Sequence, residues 1–341
     1  MTELEHALNE RFLLQEEYLG NNKIVNSITP VVSVTVATYQ HVNFIKECLD
    51  GILMQQTNFP YEIILGEDGS TDGTQDICKE YAEKYPDKIR LFIRDRKLSQ
   101  FVKSDGKIAR FNSKWNKMSA RGKYIAICEG DDYWIDPYKL QKQVDFLEGN
   151  EDVSMCFHNA KICRDYIPSS CKTMTDYGNS FPDFTNCCYV DVKTLVKKWV
   201  VPTASIVFRR KFCPNETNSP LYGDQLLILT MAENGLIYYM PDTMSVYRIL
   251  PTGMNVNANK NKNSLPLAYK RLKQAQYIRK RFKQIPFMTI SVLLADRYWG
   301  VFLLEMKENH TIYFKYFFLS LLNNPVIVFR KIIRQILKLK K

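Results

Sequence analysis

Residues 123–137 read KYIAICEGDDYWIDP, an apolar run that stops at three acidic residues within four positions, Glu129, Asp131 and Asp132. Three carboxylates that close repel one another and resist burial unless a cation or a donor-rich loop offsets them, and their hard oxygens suit Mg2+ or Mn2+. Two readings follow: a divalent metal held at a strand end, or a solvated acidic turn that closes the strand. The sequence on either side decides between them.

Towards the N-terminus, VVSVTVA over Val31–Ala37 is β-branched and uninterrupted, as in a strand buried on both faces of a parallel sheet, and Thr38 and Tyr39 follow it. Phe44, Ile45, Cys48, Leu49, Ile52 and Leu53 then recur with helical spacing. A second strand, EIIL, runs into the loop from Gly66 to Thr74, GEDGSTDGT. Gln75 to Tyr85 reads as a helix, with Asp72 and Gln75 at capping-box spacing, and Ile89 to Ile93 as a third strand. This alternation predicts a right-handed, doubly wound α/β sheet. In such sheets ligands sit beyond the carboxyl ends of the strands, where Thr38-Tyr39, Glu67-Asp68 and Glu129-Asp131-Asp132 all fall. Taken alone, the Asp-Gly and Asp-Thr pairs of the second loop would also make a plain tight turn.

Towards the C-terminus, Leu140, Val144 and Leu147 give a helix over residues 138–147, and VSMCF over residues 153–157 a strand with His158 at its end. His158 is either a hydrogen-bonded structural histidine or an acceptor contact. Residues 164–188 lack periodicity and read as a loop. A strand over residues 202–208 precedes a helix that begins near Asp224, a position where an acidic residue commonly caps the helix. At the other end of the chain, Leu4, Leu8, Phe12 and Leu19 suggest a weakly capped helix over residues 2–19.

With 341 residues, 45% of them hydrophobic and 24% charged, the chain has globular composition and enough length for one large or two modest domains. Four histidines argue against a His-based zinc enzyme. Nine cysteines, among them Cys48, Cys128 and Cys156 in apolar segments, read as reduced core residues rather than a disulfide framework, and the Cys187-Cys188 pair has no CxxC partner. The polar N-terminal residues contain no signal-peptide pattern, and the longest apolar candidate near the C-terminus is interrupted by Lys315 and Pro325. A cytoplasmic protein is expected.

The net charge of +11 is unevenly placed: residues 261–341 carry 17 Lys and Arg against 3 Asp and Glu. After Pro325, Phe329, Ile332, Ile333, Ile336 and Leu337 form an apolar stripe beside Arg330, Lys331, Arg334 and Lys338. Such a helix either lies peripherally on an anionic membrane surface or packs back with its basic face solvated. No nucleic-acid motif accompanies the charge.

The segments VSVTVATYQHVNFIKECLDGILMQQ, EIILGEDGSTDGT and GKYIAICEGDDYWIDPYKLQKQVDFL resemble, in order and spacing, glycosyltransferase family 2 enzymes of the GT-A fold. The resemblance covers residues 31–160 and, more weakly, 200–255. It implies a nucleotide-sugar donor, UDP-linked above all, with Thr38 and Tyr39 approaching the nucleoside and one of Glu67 and Asp68 accepting a hydrogen bond from the base. It matches Glu129-Gly130-Asp131 to the family's DxD motif, with Asp132 as the acidic residue that binds a metal bridging the diphosphate. Which of the three carboxylates ligates directly stays open. YGDQLLILTMAENGLIYYMPDTMSVYRI looks like the segment carrying the family's general base, which makes Asp224 that base. The family's basic-plus-Asn signature is not distinct here, with Lys103, Lys107, Arg110 and Lys114 all available. Where many relatives place a histidine after the SVYRI-like strand, this chain has Leu250-Pro251-Thr252-Gly253.

The resulting expectation is a GT-A catalytic domain over residues 31–255, with a donor half at 31–150 and an acceptor half at 151–255. An N-terminal helical extension over 1–30 and a basic helical region over 256–341 flank it. Its activity would be inverting, Mg2+- or Mn2+-dependent sugar transfer to a glycan or lipid-linked acceptor. The alternatives are a non-catalytic nucleotide- or glycan-binding protein and a nucleotidyltransferase. The latter usually needs a Gly-rich phosphate loop, which Ala37-Thr38-Tyr39-Gln40 is not.

Overall fold

The computed structural model describes residues 2–18, 20, 24–102, 108–164, 171–173, 186–197, 200–251, 264–308 and 313–339. They divide into two compact units, one formed by residues 1–190, 198–218 and 230–249, the other by 191–197, 219–229 and 250–341.

In chain order the first unit contains α1 (Glu3–Leu13), β1 (Glu17–Tyr18), β2 (Val32–Thr38), α2 (Ile45–Leu53), β3 (Tyr61–Glu67), α3 (Thr74–Lys84) and β4 (Ile89–Ile93). There follow β5 (Gln100–Val102), β6 (Ile108–Arg110), α4 (Asn112–Ser119), β7 (Tyr124–Ile127), β8 (Tyr133–Trp134), α5 (Lys139–Gly149), β9 (Val153–Arg164), β10 (Lys172–Thr173) and β11 (Cys188–Tyr189). α6 (Val192–Lys197) belongs to the second unit; β12 (Val207–Arg209) and β13 (Leu236–Ile249) complete the first. The main sheet runs β1-β4-β3-β2-β7-β12-β9-β13-β11. β4, β3, β2 and β7 are mutually parallel, as the alternation of strands and helices predicts. β12 then runs antiparallel to both β7 and β9, so the sheet is mixed beyond β7.

Both faces of the parallel half are covered. Val32, Val34 and Val36 pack with Ile45, Cys48, Leu49 and Ile52 of α2, with Cys78 and Tyr81 of α3, and with Leu140 and Val144 of α5. Ser33 and Thr35 alternate with these valines and are buried too. α4 brings Asn112 and Asn116 to β3 and β2, where their amides donate to the carbonyls of Gly66 (3.0 Å) and Val36 (2.7 Å). α1 packs on α4 through Leu4, Leu8, Phe111 and Trp115. Thr2 and Glu5 form a capping box at its start, so its capping is stronger than the sequence reading allowed.

Three local expectations are corrected. The Asp72–Gln75 box does not form: Asp72 accepts from the backbone of Thr74 (3.0 Å), while the Gln75 amide reaches Glu67 (3.2 Å). The strand read as ending at Phe157 continues to Arg164, because β13 pairs alongside it through Ile249, so His158 lies within the strand. Cys163 and Cys171 are joined in a disulfide; Cys48, Cys128 and Cys156 are free and buried as read. Most of the predicted loop over 164–188 lies outside the described residues.

The second unit continues with α7 (Gly223–Asn234, whose last turn belongs to the first unit), α8 (Leu265–Arg281), α9 (Phe287–Lys307), α10 (Tyr313–Asn323) and α11 (Pro325–Leu339). Its core joins Leu226 and Leu229 to Leu272, Ile278, Phe282, Leu294 and Val301. α9 is an apolar segment that the sequence reading did not single out: by length and composition its 21 residues could cross a bilayer. Leu293, Leu294, Ala295, Trp299 and Val301 are nevertheless buried, and Asp296 and Arg297 interrupt the apolar run within the continuous helix.

Candidate functional site

The parallel strands deliver their carboxyl ends at one level. Thr38 pairs with Glu67 across β2 and β3, and Thr35 with Ile127 across β2 and β7. The ladder continues past Ile127, since the N–H of Cys128 donates to the Thr35 carbonyl and that of Gly130 to the Ala37 carbonyl, each at 3.1 Å. The acidic motif is therefore bound to the edge of β2 by backbone bonds. Gly130 must be small there: a Cβ would lie 2.7 Å from Thr38 Oγ1 and 2.9 Å from His41 Nδ1.

Glu129, Asp131 and Asp132 each bring a carboxylate oxygen within 4.8 Å of the others. Asp132 is fully buried, and its Oδ2 has no hydrogen-bond partner among the described residues. Burial, with the carboxylates of Asp131 and Glu129 adding to it, pushes the Asp132 carboxyl well above its ordinary range. A buried, unpartnered carboxylate oxygen facing two further carboxylates fits a hard divalent cation, which would supply the missing partner and offset the charge. That favours the metal reading of EGDD over a solvated turn.

The other oxygen of Asp132 is held from far along the chain. β8 pairs with β13, Tyr133 opposite Val246, and this brings Arg248 to the motif. The N–H of Arg248 donates to Asp132 Oδ1 (2.8 Å), and its guanidinium donates to the Asp131 carbonyl (2.7 Å) and pairs with Glu47. The guanidinium lies 4.3 Å from the ring centre of Tyr133 and 5.2 Å from that of Phe44. On the other side of the motif, α2 approaches β8 so closely that a Cβ on Gly51 would meet the Trp134 carbonyl at 2.7 Å.

At the neighbouring strand ends, Glu67 is fully buried and accepts from the N–H groups of Gly69 (3.2 Å) and Ser70 (2.7 Å) and from Gln75. It shapes its own loop, with Gly69 in the left-handed region at φ 71°. Asp68 pairs with Arg96 (2.9 Å) and accepts from the Ser99 hydroxyl; burial raises its carboxyl despite these partners. The Arg96 guanidinium sits 3.3 Å from the ring centre of Tyr39. Tyr39, Arg96 and Asp68 thus form one stacked, charged wall. The β2–α2 and β3–α3 loops are zipped together by the Gln40 side-chain amide, which donates to the Thr71 hydroxyl and accepts the Thr71 N–H, each at 3.0 Å, and by Asp72 accepting from the Val42 N–H at 3.1 Å. This network explains the Ser, Thr and Asp content of the loop that a plain turn does not require.

Thr38 Oγ1 lies 3.2 Å from His41 Nδ1, and burial pushes the His41 imidazole down although Asp131 and Asp72 oppose this. The first unit thus brings together Thr38, Tyr39, Glu67, Asp68, Glu129, Asp131 and Asp132. Asp224 belongs to the second unit, in the first turn of α7, where its Oδ1 accepts the N–H of Gln225 (2.8 Å). Of the four basic candidates, Lys103 and Lys107 lie outside the described residues, Arg110 is exposed on β6, and the Lys114 ammonium is tied to the carbonyls of Asn215 (2.6 Å) and Glu216 (3.2 Å). His158 is fully buried, with Nδ1 2.7 Å from the Asn159 carbonyl and Nε2 without a hydrogen-bond partner among the described residues. Thr252 and Gly253 lie outside the described residues. Sequence reasoning missed Arg96, His41, Arg248 and the two asparagines of α4. Only FNSKWN carried a signal for these, two Asn four residues apart on one helix face.

Residues 33–173 match the family model described as Glycosyl transferase family 2. An uncharacterized protein of Mycobacterium tuberculosis is 34% identical over 64% of this chain and 58% of its own length. An uncharacterized glycosyltransferase of Nostoc is 25% identical over 64% of each. The chain thus spans about three-fifths of the length of these relatives. Among solved structures, S. aureus TarS in complex with UDP-GlcNAc aligns over 87% of this chain and 90% of that one, at 16% identity and a TM-score of 0.49. The family match takes in β2 to β9, the strand ends that carry Thr38, Glu67 and Asp68 and the whole acidic motif, so residues 33–173 are similar to glycosyltransferase family 2.

Proposed function

We propose that the protein is a divalent-metal-dependent, inverting glycosyltransferase that moves a sugar from a nucleoside diphosphate to a hydroxyl of a glycan or lipid-linked glycan. The observation that carries this reading is the unpartnered Oδ2 of buried Asp132 beside Glu129 and Asp131, at the carboxyl ends of parallel strands in a family 2 domain. Asp132, Asp131 and Glu129 would hold Mg2+ or Mn2+. The bound cation would neutralise charge on the departing diphosphate. The Tyr39–Arg96–Asp68 wall supports a nucleoside site at the next strand ends, with the Asp68 carboxylate as the base-facing acceptor and UDP as the leading nucleotide. Thr38, packed under Gly130, would fix the distance between that wall and the carboxylates.

The acceptor oxygen would attack the anomeric carbon as the bond to diphosphate breaks, and its proton must pass to a base. We assign that base to Asp224 on the resemblance of its segment. The test is incubation with a panel of nucleotide sugars, UDP-sugars first, and Mn2+, reading release of nucleoside diphosphate. Turnover of one donor that is lost in Asp132→Asn supports the proposal. Metal-dependent nucleotide binding with no turnover on any donor and acceptor would replace it with a binding function, and pyrophosphate release from a nucleoside triphosphate with a nucleotidyltransferase.

A further inference from the structure

α10 and α11 are pinned to α9 by one side each. The Ser320 hydroxyl donates to the Ala295 carbonyl (2.7 Å), the Ser291 hydroxyl to the Asn323 carbonyl, and Lys331 pairs with Asp296. Ser320 and Val328 are fully buried. At 3.6 residues per turn, Phe318 and Leu322 lie about 160° around α10 from Ser320, and Val326 and Ile333 about 140–160° around α11 from Val328. These outward positions should be polar in a helix that faces water. Instead Phe318 is 59% exposed, Leu322 81%, Phe329 63% and Ile333 52%.

The charge beside this face has one sign. Lys315, Arg330 and Arg334 are exposed along the same two helices, and no Asp or Glu occurs after Glu308. A second copy of the chain packed on this face about a twofold axis would set basic rim against basic rim. An anionic leaflet instead offers phosphates to the rim and an acyl boundary to the apolar side chains.

We propose that the outer faces of α10 and α11 dock on the headgroup region of an anionic bilayer, with Phe318, Leu322, Phe329 and Ile333 entering the interface and Lys315, Arg330 and Arg334 meeting lipid phosphates. The surface lies outside the family 2 domain, and the proposal does not rest on sugar transfer.

The test is co-sedimentation of the full chain with vesicles of phosphatidylcholine alone and of equal parts phosphatidylcholine and phosphatidylglycerol, at low and high salt. Binding is expected on the anionic vesicles and should weaken with salt. Phe318→Ser with Phe329→Ser should lower partitioning by about tenfold or more. Arg330→Gln with Arg334→Gln should lower it by about tenfold and remove much of the salt dependence. Circular dichroism and melting temperature check that the variants fold, and the exposed arginine pair carries the test if the serine pair does not. Failure of the wild type to bind anionic vesicles overturns the proposal, as does equal binding by folded variants. A dimer that the serine pair dissociates, without vesicle binding, would assign the face to a second copy.

Discussion

The backbone N–H of Arg248 donates to Oδ1 of Asp132 across 116 residues of chain, at 2.8 Å. The bond fixes one oxygen of the most buried carboxylate of the acidic cluster and leaves the other without a partner among the described residues. The guanidinium of the same residue does not neutralise the acidic cluster; it goes to the Asp131 carbonyl and to Glu47. β13 therefore holds the motif in position while the charge of its carboxylates stays available to a cation.

Replacing the Arg248 side chain should separate these two effects. Arg248→Ala keeps the N–H on Asp132 but removes the guanidinium from the Asp131 carbonyl, Glu47 and the rings of Phe44 and Tyr133. A loss of about 1–3 kcal/mol of stability is expected in urea unfolding. Mn2+ affinity, read by calorimetric titration, should fall less than in Asp132→Asn, which removes a charge from the proposed ligand set. An Arg248→Ala protein that binds Mn2+ as weakly as Asp132→Asn would show that the side chain, not the backbone, organises the cluster.

Gly130→Ala tests the contact between the motif and β2. The new methyl would lie within 3 Å of Thr38 and His41, side chains fixed on a buried strand end and its loop, so it must displace the motif. The expected cost is about 1–3 kcal/mol in stability, with loss of metal binding beyond what that cost explains. Unchanged Mn2+ titration would mean that the motif shifts without disturbing its carboxylates.

The parallel half of the fold was legible because its signals are local and repeated. Val32, Val34 and Val36 alternate with small buried Ser33 and Thr35, and each strand ends where polar residues begin. The motif was legible for the same reason, since three carboxylates in four positions conflict with burial in any context. Arg248 was not, because a bond across 116 residues leaves no trace in either segment. Arg94 illustrates the same limit: it directly follows β4 in the sequence, and it is buried, bonded to Asn116 (2.6 Å) and Gln15 (2.9 Å) and pulled down to about 9 by burial. Cys163 and Cys171 were misread because the seven residues between them show no pattern, and spacing alone does not reveal that β10 pairs antiparallel beside β9.

Lys139 gives the protein a pH dependence of known sign. Its ammonium is fully buried, 2.8 Å from Gln143 Oε1 and 4.0 Å from the Trp134 ring centre, and burial pulls it down to about 7 from 10.5. Between those values the unfolded chain holds a proton that the folded chain has lost, so stability rises with pH, by up to about 1.4 kcal/mol per unit. Lys139→Met should remove this rise. Urea unfolding of both proteins at about pH 7.5 and 8.5 reads the difference, and wild type should gain on the variant by about 1 kcal/mol. A constant difference would place the proton on Lys139 in both states.

Asp224 is the residue on which the proposed chemistry depends most. Its Oδ1 accepts the N–H of Gln225 in the first turn of α7, a bond an asparagine keeps. Asp224→Asn therefore preserves the local turn while removing the only proton-accepting charge at that position. If Asp224 takes the acceptor proton, the variant should lose about 100-fold or more in kcat while Mn2+-dependent nucleotide binding stays within error of wild type. Binding and turnover falling together, with a lowered melting temperature, would assign the residue to the helix start instead. Retained turnover would return the search for the base to the carboxylates of the first unit.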